Sequence, residues 1–125
     1  MASELRVNTL KDASGNNSVA LSTVASGSAK AWIDYKGTST NSIRDSLNFA
    51  SVSDNGTGDY TASYTSAMGN ANYSALYSAG VKNVITAQER LSAIATDSYR
   101  IEMQEDGGSA SDSSYVMIAM HGDLA

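Results

Sequence analysis

The segment Ser51–Tyr64 reads SVSDNGTGDYTASY, and it is the part of the chain that determines the predicted fold. At its centre, Asn55-Gly56 lies within a cluster of turn-forming residues, Asp54–Asp59, flanked on both sides by runs that suit β-strands. An Asn-Gly pair between two such runs is the strongest short-range signal for a β-hairpin. The sequence therefore predicts two antiparallel strands joined at Asp54–Asp59.

Further strands are predicted on both sides of this hairpin. The run KAWIDYK alternates in the strand period of two, with Trp32 on one face and Ile33 on the other. Within Ile43–Ser53, Leu47 and Phe49 are expected to face the same way. The predicted strands are Glu4–Leu10, Val19–Val24, Lys30–Lys36, Ile43–Ser53, Tyr60–Ser66, Asn72–Ala79, Ser98–Gln104 and Tyr115–His121.

The segment Val81–Thr96 fits two interpretations. One is a strand over Val81–Ile85 followed by a loop, and the other is a short helix over Thr86–Ala95 with Thr86 as its N-cap. About eight short strands with turns every 8–12 residues indicate a β-sandwich or a small barrel. The predicted fold is an all-β, antiparallel, jelly-roll-like β-sandwich that follows a short N-terminal strand pair.

The sequence of 125 residues divides into three predicted segments. Residues 1–24 form the predicted N-terminal attachment segment, and residues 25–29 (ASGSA) form a linker of small residues. Residues 30–125 form the predicted distal β-sandwich domain. A chain of this length is enough for one such domain and a real hydrophobic core.

Composition excludes several classes of function. The net charge of −5 makes nucleic acid a poor partner, because phosphate neutralisation needs clustered Lys and Arg. No apolar run approaches the length of a membrane span, so membrane insertion is not expected. The absence of cysteine excludes disulfides, thiol catalysis and cysteine-based zinc sites.

The candidates for chemistry are weak. His121 is the only histidine, so it cannot supply a multi-histidine metal site, and a structural or solvent-facing role is expected for it. The acidic loop Asp54–Asp59 lacks the spacing and the distal bidentate Glu of a calcium loop. No glycine-rich phosphate loop and no distinctive acid pair is present. We therefore expect no catalytic residue, no metal and no cofactor, and the chain is not expected to be an enzyme.

Three loops are candidates for partner contacts only because loops commonly carry recognition. They are Gly37–Asn41, Asp54–Asp59 and Glu105–Asp112. No single binding residue is predicted within them.

Several segments resemble tail-fibre or receptor-binding virion proteins of tailed bacteriophages. The run KAWIDYKGT is similar to the KAWVNFNGTGT-type segment of that family, and the family often reads IRDSFNV where this chain has IRDSLN. The turn DNGTGDYT recurs in the family as it stands here. The resembling segments are Met1–Val24, Lys30–Thr38, Ile43–Asn48, Ser53–Thr61, Ala67–Met68, Asn70–Tyr73, Ser98–Arg100 and Asp112–Val116. The segment Val81–Thr96 does not follow the family pattern.

The resemblance implies a bacteriophage virion structural protein. It implies a homotrimer that attaches to other virion proteins through its N-terminal segment, as a short tail fibre or a receptor-binding module. The expected partner at the distal end is the host cell surface, as a glycan or other receptor, and the expected location is the virion.

Two alternatives remain open at this point. The expected location on the virion is the tail or the capsid surface, and a capsid decoration or head-fibre protein would place the same module on the capsid. A free carbohydrate-binding β-sandwich would bind glycan as a monomer through exposed tyrosines. A small polysaccharide depolymerase is disfavoured because no acid pair stands out.

Overall fold

A computed structural model describes residues 3–80, 85–105 and 107–125, and for residues 85–93 it describes the backbone alone. The described residues form ten strands and one short helix. The strands are β1 Thr9–Lys11, β2 Ser18–Ala20, β3 Ala31–Lys36, β4 Ser42–Leu47, β5 Phe49–Gly56, β6 Asp59–Tyr64, β7 Ser74–Ala79, β8 Ile85–Ile94, β9 Ser98–Glu105 and β10 Val116–His121. The helix, α1, is Leu21–Gly27.

Strands β3 to β10 form two four-stranded antiparallel sheets. The first sheet has the order β4-β3-β10-β7 and the second has the order β5-β6-β9-β8. The all-β antiparallel sandwich predicted from the sequence is confirmed. Its strand order differs from that of a jelly roll, because the hairpins β3–β4, β5–β6 and β8–β9 each keep both strands in one sheet.

The core lies between these two sheets, and period-two alternation builds it. In β3 and β10, every second residue is buried against the opposite sheet, and β6 and β9 supply the matching residues from the second sheet. Tyr35 and Tyr60 meet across the core with ring centroids 5.3 Å apart in an edge-to-face contact. The predicted strands over β3, β6, β9 and β10 are confirmed, and β7 begins two residues later than predicted.

The predicted single strand over Ile43–Ser53 is wrong. It divides at Asn48, which has a φ of 58° and turns the chain from the first sheet into the second. Asn tolerates this left-handed conformation better than most residues. The Asn48 side chain secures the corner by accepting from Ser66 N–H at 2.7 Å and donating to the Ser66 carbonyl at 3.0 Å. Consequently Leu47 is exposed and Phe49 is buried, although the alternation placed them on one face.

The predicted hairpin is confirmed, with a shift at its turn. Strands β5 and β6 stay paired as far as Gly56 and Asp59, so the two turn residues are Thr57 and Gly58 rather than Asn55-Gly56. Gly58 has a φ of 68°, which suits glycine at this position. The Asn55 side chain lies instead along the hairpin, donating to the Thr61 hydroxyl at 2.8 Å.

The N-terminal segment differs from its predicted strands. The strands predicted over Glu4–Leu10 and Val19–Val24 shorten to β1 and β2, which pair through three residues each. Helix α1 begins at Leu21, directly after β2, and covers the first three residues of the predicted linker. The small residues of this stretch are compatible with a helical turn, which the strand interpretation overlooked.

Residues 86–94, which the two interpretations placed in a loop or in a helix, form most of strand β8. Strand β8 pairs antiparallel with β9, from Ile85 opposite Glu105 to Ile94 opposite Tyr99. The alternative helix over Thr86–Ala95 is therefore wrong, because pairing with β9 overrides the local helix signals. Most of the strand predicted over Val81–Ile85 lies outside the described residues.

Candidate functional site

The sandwich has two distinct ends. Strand β3 begins at Ala31, where the chain enters the sandwich, and finishes at Lys36. We call the end at Ala31 the base and the opposite end the loop end. Because neighbouring strands are antiparallel, the β3–β4 connection (37–41), the β5–β6 turn (57–58) and the β9–β10 connection all lie at the loop end.

The three loops predicted as candidates for recognition are therefore brought together. Gly37 N–H donates to the Ser113 carbonyl at 2.9 Å, which joins the first loop to the third. Gly58 N–H donates to Asp112 Oδ1 at 2.7 Å, which joins the second loop to the third. The Asn41 amide donates to the Asp54 carboxylate and so joins the first loop to the hairpin.

A tyrosine hydroxyl lies beneath this junction. Tyr60 is buried, and its hydroxyl donates to Asp112 Oδ1 at 2.8 Å and lies 3.1 Å from the Gly37 carbonyl oxygen. Burial raises the pKa of the Tyr60 hydroxyl well above its ordinary value, and the Asp112 carboxylate raises it further. The hydroxyl is therefore protonated at neutral pH and serves as a fixed donor that holds the loops together.

Two glycines allow the loops to pack this closely. A Cβ at Gly37 would lie 2.3 Å from the Tyr60 hydroxyl oxygen, and a Cβ at Gly58 would lie 2.5 Å from the Met103 carbonyl oxygen. Neither position has room for a side chain. The backbone of the loop end is thus built around glycine at the two points of closest approach.

The outward surface of the loop end is polar and rich in hydroxyls. Ser39, Thr40, Thr57 and Ser109 are all exposed at the tips of the three loops. Beside them, Asn41 Oδ1 is buried and accepts no hydrogen bond from the described residues. Hydroxyl and amide groups on a fixed backbone suit the recognition of a polar ligand through hydrogen bonds.

Two acidic residues described in these loops make hydrogen bonds within the loops themselves. Asp54 accepts from the Gly56 N–H at 2.9 Å, and Glu105 accepts from the Ser111 hydroxyl at 3.0 Å. Among the described residues, no group of three or more His, Asp or Glu side chains is placed to hold a metal ion.

His121 lies away from the loop end. It is the last residue of β10, opposite Ser74 at the base of the sandwich. The loop carboxylates of Asp54 and Asp112 are at the other end, so the fold does not bring His121 together with them.

Sequence reasoning missed a second surface, the outer face of the first sheet. Trp32, Leu76 and Met117 are exposed there beside a shallow groove of about 380 Å³. The available signal was Trp32 itself, a large apolar residue on the polar side of the alternating strand KAWIDYK. Its significance depends on what the neighbouring strands contribute, which the sequence does not show.

Comparison with protein-family models, with curated proteins and with solved structures found no match to this chain. Within the part of the chain that the structure describes, no helix is long and apolar enough to cross a membrane.

Proposed function

We propose that this chain is a structural and binding module of a bacteriophage virion, acting as a short tail fibre or receptor-binding protein. The observation that carries the proposal is that the two ends of the molecule differ. The N-terminal segment joins the sandwich at its base, and the three recognition loops gather at the opposite end. Such a molecule can be attached at one end and present a binding surface at the other.

The N-terminal segment has the character of an attachment element. Residues 9–27 form a hairpin and a helix, and none of residues 3–29 is buried. Leu5 is 78% exposed, and Leu10 and Val24 are each 44% exposed. Apolar side chains on a folded segment that buries none of them favour docking against another virion protein or another copy of the chain.

The loop end has the character of a polar recognition surface. Its tips carry hydroxyls, while Asp112 and Tyr60 hold the backbone beneath them. Fixed polar groups bind with a smaller entropic cost than mobile ones, which favours a polar host-surface receptor such as a glycan. The proposed role is binding rather than catalysis.

The proposed assembly is a homotrimer located on the virion. The alternative location is the capsid, as a decoration or head-fibre protein, and the architecture described above serves either position. A free carbohydrate-binding module is less favoured, because such a module has no need of the apolar attachment segment.

Immunogold labelling of purified virions tests this proposal. Antibodies raised against the full chain should label the tail tip, and pre-immune serum should label nothing. Uniform labelling of the head would select the capsid alternative. Virions that carry no label, in a preparation where a known virion protein is labelled, would overturn the proposal.

A competition experiment tests the loop end. Purified full-length protein should block adsorption of the phage to its host. Thr57→Lys, at the tip of the hairpin, should weaken that competition at least tenfold, while Ser53→Lys on the outer face of the same hairpin should leave it unchanged. Equal competition by both variants would remove the loop end as the receptor-binding surface.

A further inference from the structure

The outer face of the first sheet carries a continuous apolar patch. Strand pairing places four residues in one row across the sheet, Leu47 opposite Trp32, Trp32 opposite Ala119 and Ala119 opposite Leu76. Met117 lies two residues before Ala119 in β10 and on the same face. Leu76 is 62% exposed, Leu47 is 47% exposed and Trp32 is 36% exposed. We call these five residues the apolar patch.

The outer face of the second sheet has the opposite character. In the described strands β5, β6 and β9, that face presents residues such as Ser53, Thr61 and Arg100, which lie next to one another in the register. Arg100 Nε donates to Asp59 Oδ1 at 2.7 Å on the same face. The outer face of these three strands is therefore suited to water, whereas the outer face of the first sheet exposes large apolar side chains that a permanently solvated face does not need.

The shape of the apolar patch fits side chains of a protein better than a sugar. Ala119 forms the floor of a groove between the larger side chains of Trp32 and Leu76. The nearby Asp34 carboxylate already accepts from Arg44 at 2.9 Å, and the Arg44 guanidinium lies 4.1 Å over the Tyr115 ring. A sugar site needs several convergent polar groups, while this groove offers mainly apolar contact.

The face of the first sheet is large enough to form part of an interface between copies. A four-stranded face six residues long covers about 400 Å² when strands are 4.8 Å apart and rise 3.3 Å per residue. A stable interface buries about 800 Å² on each partner, of which about 500 Å² is apolar. The apolar patch occupies only part of this face, so a standard interface also needs apolar area from elsewhere, which the exposed side chains of Leu10, Val19 and Val24 can supply.

The N-terminal segment decides the direction in which copies pack. Leu10, Val19 and Val24 are exposed on this segment, which leaves the sandwich at its base. An assembly with its symmetry axis along the strands brings all the bases together, so these side chains can cover one another. A twofold axis across the strands would put the N-terminal segments at opposite ends and leave them uncovered.

We propose that the apolar patch is the interface between copies of this chain in a cyclic assembly whose strands run along the symmetry axis. This inference rests on the proposed function for the number of copies, which is three. The occupant of the patch is the neighbouring copy. All loop ends then point to one side of the assembly and all N-terminal segments to the other.

Solution mass tests the interface. The full chain should have a mass of about 39 kDa by light scattering, three times the 13.0 kDa of one chain. Leu76→Glu on the edge strand β7 should reduce it to one chain, and Met117→Glu should do the same. The matched control Ser53→Glu, an exposed residue on the edge strand β5, should keep the wild-type mass.

The only tryptophan of the sequence, Trp32, lies within the apolar patch and reports on it directly. Its emission should be blue-shifted and protected from acrylamide in the wild-type assembly. The emission should shift to the red in Leu76→Glu, and in the wild type on dilution to single chains. Circular dichroism and thermal unfolding show that each variant is folded.

Cross-linking tests the direction of packing. The chain has no cysteine, so single-cysteine variants give an unambiguous result. A short bifunctional thiol reagent should link copies of Ser14→Cys, whose residue lies in the exposed β1–β2 turn. It should not link copies of Ser53→Cys on the second sheet.

Several results would overturn the inference. These are a wild-type mass of one chain at every concentration, an unchanged mass in folded Leu76→Glu and Met117→Glu, or no cross-linking through Ser14→Cys. Each of these leaves virion labelling unaffected, so failure of the interface is distinguishable from failure of the proposed function. Conversely, the purified chain could assemble through the apolar patch while virions carry no label. That result would reject the proposed function and keep the proposed interface.

Discussion

Removing the Asp112 carboxylate is the sharpest test of how the loop end is held together. Asp112 Oδ1 accepts two hydrogen bonds, from Gly58 N–H at 2.7 Å and from the Tyr60 hydroxyl at 2.8 Å. These contacts join the third loop to the hairpin turn and to the core beneath it. Asp112→Ala removes both hydrogen bonds without introducing a new side-chain group.

The two donors respond differently to this change. Gly58 is buried, so its N–H is left without a partner, at a cost of about 1–3 kcal/mol. The Tyr60 hydroxyl still has the Gly37 carbonyl oxygen 3.1 Å away, so its loss is smaller, about 0.5–1 kcal/mol. We expect Asp112→Ala to lower the free energy of unfolding by about 1.5–4 kcal/mol in total.

Urea unfolding followed by circular dichroism measures this change. The same experiment on Tyr60→Phe and on the double variant completes a double-mutant cycle, which isolates the Tyr60–Asp112 contact. The expected coupling is about 1 kcal/mol. The control is Asp123→Ala, an exposed carboxylate at the base, for which the expected change is within about 0.5 kcal/mol.

Two outcomes would refute this reasoning. If Asp112→Ala unfolds at the same urea concentration as Asp123→Ala, the carboxylate does not hold the loops. If the coupling energy in the cycle is zero while both single variants are destabilised, the two side chains act separately, and the shared junction inferred from the geometry is wrong.

Three further predictions concern the packing. Burial raises the pKa of the Tyr60 and Tyr64 hydroxyls above their ordinary value of 10.0, so the stability that they contribute is present below pH 10 and is lost as the pH rises above it. A tyrosinate absorbance titration should show these two tyrosines ionising only when the protein unfolds. Ionisation of all tyrosines in the folded protein would contradict this prediction. Gly58→Ala should lower the free energy of unfolding by at least about 2 kcal/mol in a urea titration, because its Cβ would lie 2.5 Å from a backbone oxygen at a φ of 68°. Asn48→Ala should lower the free energy of unfolding by about 2–3 kcal/mol, because it loses two hydrogen bonds to Ser66 and strains the backbone at this positive φ. Asn48→Gly loses the same hydrogen bonds but avoids the strain, so it should cost less by the same measurement. Equal losses would show that the conformation at this corner is not strained.

The hairpin and the buried strands were predictable for a local reason. In KAWIDYK, alternation separates Ile33 from Trp32 whatever the rest of the chain does, because successive side chains of a strand point to opposite faces. The Asn-Gly cluster marked the hairpin in the same way, although the turn itself moved by two residues to Thr57-Gly58. The strand over 85–94 was not predicted beyond its first residue, because only pairing with the distant strand β9 makes this segment extended.

The corner at Asn48 and the candidate site were less accessible from sequence. Ile43–Ser53 looks like one strand because a single left-handed residue leaves no mark on the hydrophobic pattern. The three candidate loops were identified separately, yet the sequence could not place them at one end of the molecule. Their junction depends on Asp112, whose partners Gly58 and Tyr60 are more than 50 positions away in the chain.

By itself, the sequence determined the all-β class, the hairpin and the inward residues of the main strands, because these properties depend on neighbours within a few positions along the chain. Only the tertiary structure decided which strands share a sheet, which loops share an end and which outer face is apolar. Trp32 and Leu76 become parts of one surface because Ala119 lies between them in the first sheet. Surfaces of this kind are made by strand order, and strand order is settled by contacts between distant segments.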